Sequence, residues 1–412
     1  MVPMRSGPRR ILLADADAFY VAVARLVDPD GAGKASLLIV GGSAEGRGVV
    51  TSASYEARAY GVHSAMPTAR ALRLCPEALV VPVPFEACVE KGRAIRRVLQ
   101  QFTPVVDQAS SDEFYLDMTG TERLYHDEPL ATTARRIRDA VKAATGLTVS
   151  VGGGTSKVVA KLAAGVAKPR PAQEGAGVHV VDPGAELEFM RQFALADIHG
   201  VGPRFQERLA QHGLITVNDA LRHDVKVLQR WLGKNGGAWL YERVRGRDSA
   251  HVAGDRRARS ISRDETFSKD LNDDAALDAE LSRLVDRATT DLRASGLVAR
   301  TVTVRLRDAD FTDRQASRTV REAITSDRAV MAVARPLLAR LRAARPGPAR
   351  LIGVALSSLQ DAEAPAQLAL FSAEPGGVAD TQRDQALSRA VDELRSRFGR
   401  RAIARGRTPR RS

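Results

Sequence analysis

The chain has 412 residues, with 62 lysines and arginines against 49 acidic residues, and its formal net charge is +13 at pH 7. No run of about eighteen apolar residues occurs, which excludes a membrane-spanning helix. Two cysteines are too few for a disulfide framework or a cysteine-based structural zinc site. The length suits about three or four domains, and the charge indicates a polyanionic partner, nucleic acid before an anionic membrane surface, in the cytoplasm.

The first predicted strand ends in acidic residues. Ile11, Leu12 and Leu13 form a continuous apolar run, as in strands that are buried on both faces, and the run ends on Asp15. Asp15 and Asp17 lie two positions apart, so on an extended backbone their carboxylates point to one face. Oxygen ligands of this kind suit Mg²⁺.

Two helices after this strand carry candidate phosphate ligands. Phe19 opens a helix whose first amides would face the acidic strand end, where they could hold a triphosphate. Tyr55 and Arg58 lie three apart on a later helix and share a face, which suits β- and γ-phosphates. A plain surface pair is the alternative. Further helices are predicted over residues 63–75 and 86–102.

A second acidic strand follows, in the stretch from Ser110 to Asp117. The adjacent carboxylates of Asp112 and Glu113 precede the apolar-polar alternation of a half-buried strand. Two acids this close repel each other and destabilise the fold unless a cation holds them. If the two acidic strands are neighbours, Asp15, Asp112 and Glu113 converge with enough oxygen for two metal ions, as in-line phosphoryl transfer requires. A solvated turn is the alternative.

A basic helix comes next. A strand over 148–154 ends in glycines and runs into a helix over 155–168 that carries Lys157, Lys161 and Lys168. Lysine is a compact charge that suits a phosphate, although lysines on a helix are commonly only solvated.

The proline- and glycine-rich segment 169–177 indicates a domain boundary. Residues 198–215 then predict a helix, a turn containing Gly200 and Gly202, and a second helix, which is the pattern of a helix-hairpin-helix. Backbone amides of such a turn bind a DNA phosphate without reading sequence. A plain helical hairpin is the alternative.

A second boundary is predicted at 253–259, followed by a compact α+β module. Its predicted order is strand, helix, two strands, helix and strand. One sheet face could present arginines to a phosphate backbone, with a solvated charged face as the alternative. These arginines are Arg305, Arg307, Arg318 and Arg321. An amphipathic helix over 381–398 and a basic tail end the chain.

The order of these pieces resembles the Y-family DNA polymerases of the DNA polymerase IV (DinB) type, over almost everything from Ile11 to Phe371. The matching motifs are Asp-Ala-Asp-Ala-Phe-Tyr at 15–20, Ser-Tyr-Glu-Ala-Arg at 54–58, Tyr-Gly-Val-His-Ser-Ala-Met-Pro at 60–67, Ser-Ser-Asp-Glu-Phe-Tyr-Leu-Asp at 110–117 and Val-Ala-Lys-Pro at 166–169. The resemblance implies an α+β multidomain fold, a right-hand polymerase. Its parts would be a palm of mixed sheet and helices at 1–20 and 76–168, small fingers at 21–75, a helical thumb with the helix-hairpin-helix at 169–252, a linker at 253–259, an α+β little finger at 260–358 and a C-terminal tail at 359–412.

The resemblance also implies roles for single residues. Asp15, Asp112 and Glu113 would be catalytic and, with the carbonyl of Ala16, would bind two Mg²⁺ ions or Mn²⁺ in their place. The incoming nucleotide would be bound by Phe19, Tyr20, Ser52, Tyr55, Arg58 and Lys168. Tyr20 would be the steric gate, a flat ring that rejects a 2′-hydroxyl by clash.

Contacts with macromolecules are implied in the same way. DNA would be bound by Lys157, Lys161, Gly200, Gly202 and the four arginines Arg305, Arg307, Arg318 and Arg321. A sliding clamp, the β subunit, would bind a peptide at 367–371 through Gln367, Leu368, Leu370 and Phe371.

The function implied is DNA-templated addition of deoxynucleotides to a primer 3′-hydroxyl, with low fidelity, as translesion synthesis in DNA repair and damage tolerance. The protein would be a monomer and a mutator that acts at the nucleoid on primer-template DNA and deoxynucleoside triphosphates. A non-catalytic adaptor of the same fold is one alternative, which the intact acids oppose. Another palm-based reaction, such as nucleotide cyclisation, has no use for the helix-hairpin-helix or the clamp-like peptide.

Several positions depart from the family pattern. Ser111 replaces a usual aliphatic residue and Phe114 a usual alanine, and Ala18 is smaller than the residue often found there. Gly153 and Gly154 are expected to loosen the turn before the basic helix. We expect these departures to affect fidelity, lesion preference and sugar discrimination.

Overall fold

A computed structural model describes residues 7–169, 176–254, 257–363, 379–399 and 402–403. The chain forms two compact units, Met1–Arg256 and Arg257–Ser412. The point of division lies inside the segment 253–259 that the sequence marks as a linker. The clamp-like peptide at 367–371 lies outside the described residues.

The first unit contains two sheets and many helices. Its elements in chain order are β1 Ile11–Ala16, α1 Phe19–Val27, β2 Leu38–Gly41, β3 Val50–Ala53, α2 Tyr55–Ala59, α3 Thr68–Leu74, β4 Leu79–Val81, α4 Phe85–Leu99, β5 Val106–Gln108, β6 Glu113–Asp117, α5 Leu130–Thr145, β7 Val149–Gly154, α6 Lys157–Ala167, β8 Val178–Val180, α7 Glu186–Met190, α8 Pro203–Ala210, α9 Val217–Leu221, α10 Val225–Leu232 and α11 Lys234–Arg243, with short 3-10 helices at Glu122–Tyr125 and Leu195–Asp197. The larger sheet has the strand order β5-β6-β1-β7-β8, and the smaller has the order β3-β2-β4.

Strand β1 is the centre of the larger sheet, and all six of its residues are buried. Its alternate side chains serve two different cores. Leu12 and Ala14 pack with residues of α4 and α5, whereas Ile11 and Leu13 pack with residues of α6. A strand covered by helices on both faces needs apolar residues at every position, which explains its continuous apolar run.

Helix α6 lies unusually close to β7. A Cβ atom on Gly152 would lie 2.0 Å from the backbone nitrogen of Ala164 and 2.1 Å from the carbonyl oxygen of Ala160, so only glycine allows this approach. A Cβ on Gly153 or Gly154 would also meet side-chain atoms, at 2.8 and 2.5 Å respectively. The prediction that these two glycines loosen a turn is therefore wrong, since they are buried strand residues in a tight packing interface.

Helix α3 begins later than the sequence suggested. The prediction placed a helix over 63–75, but the helix begins at Thr68 and Pro67 is its N-cap. Proline disfavours helical backbone in the residue before it, and Ala65 has a positive φ of 67°. The residues before Pro67 therefore form a turn that leads into the helix.

The helices from α7 to α11 share an apolar core to which α6 also contributes. The first helix of the predicted helix-hairpin-helix is only the 3-10 helix Leu195–Asp197, and the second is α8. Gly200 in the turn between them has a φ of +101°, and a Cβ there would lie 2.9 Å from the ring of Trp239. Both the backbone conformation and the ring require glycine at this position.

The second unit is an α+β module in the predicted order of elements. These are β9 Ser260–Leu271, α12 Asp274–Ala294, β10 Leu297–Asp308, β11 Asp313–Ile324, α13 Asp327–Ala344, β12 Ala349–Asp361 and α14 Gln382–Phe398. The sheet has the order β11-β10-β12-β9 and is antiparallel throughout, and the core lies between it and α12 and α13.

Helix α14 contacts the rest of the second unit through its charged side. The guanidinium of Arg293 in α12 donates to Asp392 at 2.6 Å, and Arg395 donates to Asp286 at 3.0 Å. The apolar side chains of Leu387, Leu394 and Phe398 are instead 59%, 39% and 71% exposed. Among the helices described in either unit, none is both long enough and apolar enough to cross a bilayer.

Candidate active site

The two acidic strand ends are neighbours in the larger sheet. Strands β1 and β6 pair antiparallel, with Asp15 directly opposite Glu113. The backbone nitrogen of Ala16 donates to the carbonyl oxygen of Asp112 at 2.9 Å. Since directly opposed residues point to the same face, the carboxylates of Asp15 and Glu113 lie side by side. The prediction that these strands are adjacent is confirmed.

Helix α6 and the residue that follows it each bring a lysine to one of these two acids. Lys168 donates to Asp15 at 2.6 Å, and Lys161 donates to Glu113 at 2.6 Å. Both ammonium groups lie at the same edge of the sheet, because the acids that they contact, Asp15 and Glu113, are directly opposed across β1 and β6. Lys161, predicted to contact DNA, is thus paired with a candidate catalytic acid.

Lys157 on the same helix face forms a third pair. Its ammonium donates to Asp107 on β5 at 2.8 Å and lies 4.1 Å from the ring centre of Tyr115. Both side chains of the ion pair are largely shielded from water, at 11% and 4% exposure. Asp107 was not predicted as part of this cluster, because its strand is only three residues long and carries no alternating pattern.

Burial and charge together act on Asp15. The carboxylate is 8% exposed, and this burial raises its pKa; Lys168 lowers the pKa, while Glu113 and Asp112 raise it. The net pKa is above its ordinary value of 3.8. Lys168 therefore does not fully offset the burial of Asp15 and the charges of its acidic neighbours, and further positive charge would be stabilised here.

Two serines surround Asp112. The hydroxyl of Ser110 donates to the Asp112 Oδ1 at 2.6 Å, and the Ser111 hydroxyl lies 3.4 Å from the same oxygen. The phenol of Tyr20 lies 2.9 Å from the Ser111 Oγ. These hydroxyls were not predicted as a group, although Ser111 was recognised as a departure from the family pattern.

Tyr20 reaches this position because of a tight turn between β1 and α1. Ala18, the N-cap of α1, has a φ of 43° in the left-handed region, which costs a residue with a Cβ about 1 kcal/mol. The first amides of α1, those of Phe19 and Tyr20, follow this turn and have no acceptor within the helix. Asp17, also in this turn, is buried and accepts a hydrogen bond from Ser150 at 2.7 Å.

Tyr55, Arg58 and Ser52 form a second polar cluster, on β3 and α2. Arg58 donates to the Ala53 carbonyl at 2.9 Å and to the Ser52 hydroxyl at 3.5 Å, and its guanidinium lies 5.2 Å from the ring centre of Tyr55. Ser54 caps the helix by accepting from the Ala57 amide, which fixes Tyr55 in the first turn.

The Tyr55 hydroxyl is buried and has no hydrogen-bond partner among the described residues. Burial raises the pKa of Tyr55 to about 12, and the charges of Asp17 and Asp15 act in the same direction. The hydroxyl therefore stays protonated at neutral pH and is a donor without an acceptor. Because a buried unpaired hydroxyl is costly, an anionic ligand oxygen would be stabilised here.

The candidate metal ligands do not form a closed cage. In the parts of the chain that the structure describes, no three His, Cys, Asp or Glu side chains stand close enough together to hold an ion. Asp15 and Glu113 face lysines instead, and Asp112 faces serine hydroxyls. The donor set nonetheless fits a hard cation, because it consists of carboxylate oxygens at an edge where further positive charge is favoured.

The arginines of the second unit do not all share one sheet face. Arg305 and Arg307 both donate to Asp313, each at under 3.0 Å in its shorter contact. Arg318 pairs across the sheet with Val302, which is buried in the core, so the two side chains belong to the helix-covered face. The prediction that Arg318 lies on the same face as Arg305 is wrong, and Arg321 is exposed on the same edge strand.

Three family models match the chain. The model described as the impB/mucB/samB family matches residues 14–165, that of its C-terminal domain matches 258–370, and the thumb domain of DNA polymerase iota matches 196–248. The first covers the acidic end of β1, all of β6 and most of α6. The last covers the turn with Gly200 and Gly202.

Curated relatives are similar over most of their length. The DNA polymerase IV of Halorhodospira halophila is 36% identical over 352 residues, covering 85% of this chain and 96% of the relative. The DNA polymerase IV 2 of Mesorhizobium japonicum is 36% identical over 403 residues, covering 96% and 93% respectively. The DNA polymerase IV of Treponema denticola is 37% identical over 298 residues, covering 72% and 73%.

Solved structures show the same fold. A chimeric Y-family DNA polymerase made from Dbh and Dpo4 superposes with a TM-score of 0.75 at 24% identity, covering 85% of this chain and 98% of the other. DinB from Sulfolobus solfataricus superposes with a TM-score of 0.58 at 25% identity, covering 84% and 98%.

Proposed function

Because the chain belongs to the Y-family DNA polymerases and is a DNA-directed DNA polymerase, we propose that it extends primers by two-metal phosphoryl transfer with low fidelity. It would carry out translesion synthesis in DNA repair and damage tolerance, as a mutator. The observation that supports this most directly is the register that sets Asp15 opposite Glu113, with Asp112 next to them.

Asp15, Asp112, Glu113 and the carbonyl of Ala16 are the residues that would hold two Mg²⁺ ions, or Mn²⁺ in their place. When bound, such ions lower the pKa of the attacking hydroxyl and neutralise charge on the phosphates. Until then Lys161 and Lys168 supply positive charge to the same carboxylates. Glu113 stands beside the position proposed for the primer 3′-hydroxyl.

The incoming triphosphate would be bound from several sides. Lys168 lies close enough to the acids to exchange Asp15 for a phosphate oxygen, and Tyr55 offers the proton of an otherwise unpaired hydroxyl. Arg58 and Ser52 flank Tyr55, and the first amides of α1 add donors at a positive helix end. Together these groups replace the water around a polyphosphate with fixed donors.

Selection and DNA binding involve other residues. The ring of Tyr20 would reject a 2′-hydroxyl by clash. Primer-template DNA would be bound through its phosphates by the turn with Gly200 and Gly202 and by Arg305, Arg307 and Arg321. Lys157 and Lys161 would contribute where DNA displaces them from their acids. Such binding weakens steeply with salt and ignores sequence.

The decisive test is primer extension with Mg²⁺ and four deoxynucleotides. We expect Asp112→Asn combined with Glu113→Gln to reduce extension by at least about a thousandfold while DNA binding is retained. The control is Glu90→Gln, an exposed acid on α4, which should extend normally. Extension that persists in the double variant would contradict the assignment of these acids.

Association with a sliding clamp needs its own test. We propose that the chain acts as a monomer and is recruited to the nucleoid by the β subunit through Gln367, Leu368, Leu370 and Phe371. Deleting residues 367–371 should leave basal extension intact and abolish its stimulation by the clamp. Equal stimulation without the peptide would rule this role out.

A further inference from the structure

A hydroxyl-to-hydroxyl contact joins the start of α1 to the loop before β6. The phenol of Tyr20 and the Oγ of Ser111, which are 91 residues apart in the chain, lie 2.9 Å from each other. Both side chains are half-buried. The contact therefore links the ring proposed to face the sugar with the residue directly before the acid Asp112.

The directions of the hydrogen bonds follow from the acid. The Ser111 Oγ lies 3.4 Å from the Asp112 Oδ1, and a carboxylate only accepts. The serine proton therefore points toward Asp112, which leaves a lone pair of Ser111 to accept the phenol proton of Tyr20. The result is a short relay of hydrogen bonds from the ring to the carboxylate.

The ring is held at a second point by its neighbour. Phe19 meets Tyr20 edge to face, with ring centres 5.3 Å apart and planes at 75°. An edge contact limits sliding of the ring but leaves its tilt free, whereas a hydrogen bond at the phenol oxygen fixes the far end. An aliphatic side chain at position 111 would offer no such acceptor.

We propose that Ser111 is a positioning residue for sugar selection, which acts by holding the Tyr20 ring in one orientation. The inference rests on the proposed function, in which this ring faces the sugar of the incoming nucleotide. A clash discriminates only as well as the clashing group is held, because a ring that tilts away admits the extra hydroxyl. A neutral hydrogen bond contributes about 1 kcal/mol, which corresponds to about a fivefold bias in ring orientation.

The test compares insertion of dCTP and CTP opposite a template guanine. We expect Ser111→Ala to lower the ratio of the two kcat/KM values by about fivefold, mainly through faster ribonucleotide insertion. Ser111→Thr keeps the hydroxyl and should restore the ratio. Tyr20→Phe removes the same hydrogen bond from its other end. The ratio of the two kcat/KM values in the double variant should therefore be no lower than in the single variant with the lower ratio.

Ser110→Ala is the matched control. Ser110 also donates to Asp112 but does not contact Tyr20, so its loss should slow both nucleotides alike and leave the ratio unchanged. An unchanged ratio in Ser111→Ala, or additive losses in the double variant, would overturn the role of Ser111 and leave the proposed function intact. A natural chain that inserts neither nucleotide would instead overturn the proposed function, and this inference with it.

Discussion

In the first unit, the acidic edge of the larger sheet carries Asp15, Asp112 and Glu113. In the second unit, an exposed sheet face carries Arg305 and Arg307. Ion pairs are arranged differently at these two places. At the acidic edge each lysine has its own carboxylate, and Lys157 and Asp107 are only 11% and 4% exposed. In the second unit Arg305 and Arg307 share Asp313, which is 45% exposed. The first arrangement is shielded and leaves Asp112 with serine hydroxyls in place of a lysine, whereas the second keeps surplus positive charge exposed to water.

This difference separates charges that shape the protein from charges that remain available to a ligand. A shielded pair contributes through geometry, because removing one partner leaves the other charged and out of water. An exposed pair is screened and contributes little to folding, so its cations can exchange partners at small cost. Four substitutions test the comparison, from the largest expected effect to the smallest.

The acidic edge depends first on the close approach of α6 to β7. We expect Gly152→Ala to lower the free energy of unfolding by about 3 kcal/mol, because the new Cβ would meet backbone atoms that cannot move away. Urea denaturation measures the change. The control is Gly165→Ala in α6, where nothing lies near the added Cβ. This substitution should be neutral or should stabilise the fold by about 0.5 kcal/mol. Equal stability of the two variants would show that the helix is free to shift.

We expect the shielded pair of Lys157 and Asp107 to contribute to stability and the exposed pair of Arg305 and Asp313 to contribute little. Lys157→Met leaves the buried carboxylate of Asp107 without this lysine. We expect a loss of about 2–3 kcal/mol in the free energy of unfolding at pH 7. The same measurement on Arg305→Met should show a change near the error of the experiment. A small effect at Lys157 would mean that the two faces do not differ in this respect.

Asp15 should lower stability while it serves the site. Because its pKa is raised in the fold, the native chain binds this proton more tightly than the unfolded chain. The stability contributed by the group is therefore greatest at low pH and falls as the pH rises from 3.8 through the raised native pKa. Asp15→Asn lacks this fall, and we expect it to be more stable at pH 7 by about 1 kcal/mol and inactive.

The check is a series of denaturation curves from pH 3 to pH 7 with a chelator present. The stability difference between variant and natural chain should grow with pH and then become constant. A natural chain that is the more stable of the two at neutral pH would show that Lys168 compensates the acid fully.

The exposed face should respond in DNA affinity rather than in stability. Hydrogen bonds from Arg307 and Arg305 hold the pKa of the Asp313 carboxyl well below its usual range, and Asp313→Asn frees both arginines from this acid. We expect DNA to bind about threefold more tightly at low salt, with a slightly steeper salt dependence and an unchanged melting temperature. Weaker binding would indicate that Asp313 orients these arginines for the phosphates.

Patterns within single segments were enough to predict much of the acidic edge. Asp15 follows a clear apolar run, and Glu113 precedes a clear apolar-polar alternation. The prediction that these two acids meet therefore needed only that their strands be adjacent. The face shared by Lys157 and Lys161 follows from helical spacing alone, whereas Lys168 is the extended residue that ends α6. What these lysines contact does not follow from spacing, because Asp107 lies on a three-residue strand that no local pattern marks.

Register and packing account for the predictions that were wrong. The face of Arg318 depends on its pairing with the buried Val302, a register that the sequence of one strand does not reveal. Gly153 and Gly154 were interpreted as flexible because glycine usually is, yet the side chains opposite them leave no space for a Cβ. Such constraints come from residues distant in the chain.

The last described helix differs from an ordinary surface helix in how it would come loose. Helix α14 is joined to α12 by Arg293 and Arg395, while Leu387 and Phe398 face solvent. Attachment through ion pairs weakens as ionic strength rises, whereas the apolar core beneath it strengthens. High salt would therefore detach this helix from a domain that stays folded. The length of the ordered chain then depends on the ionic strength of the solution.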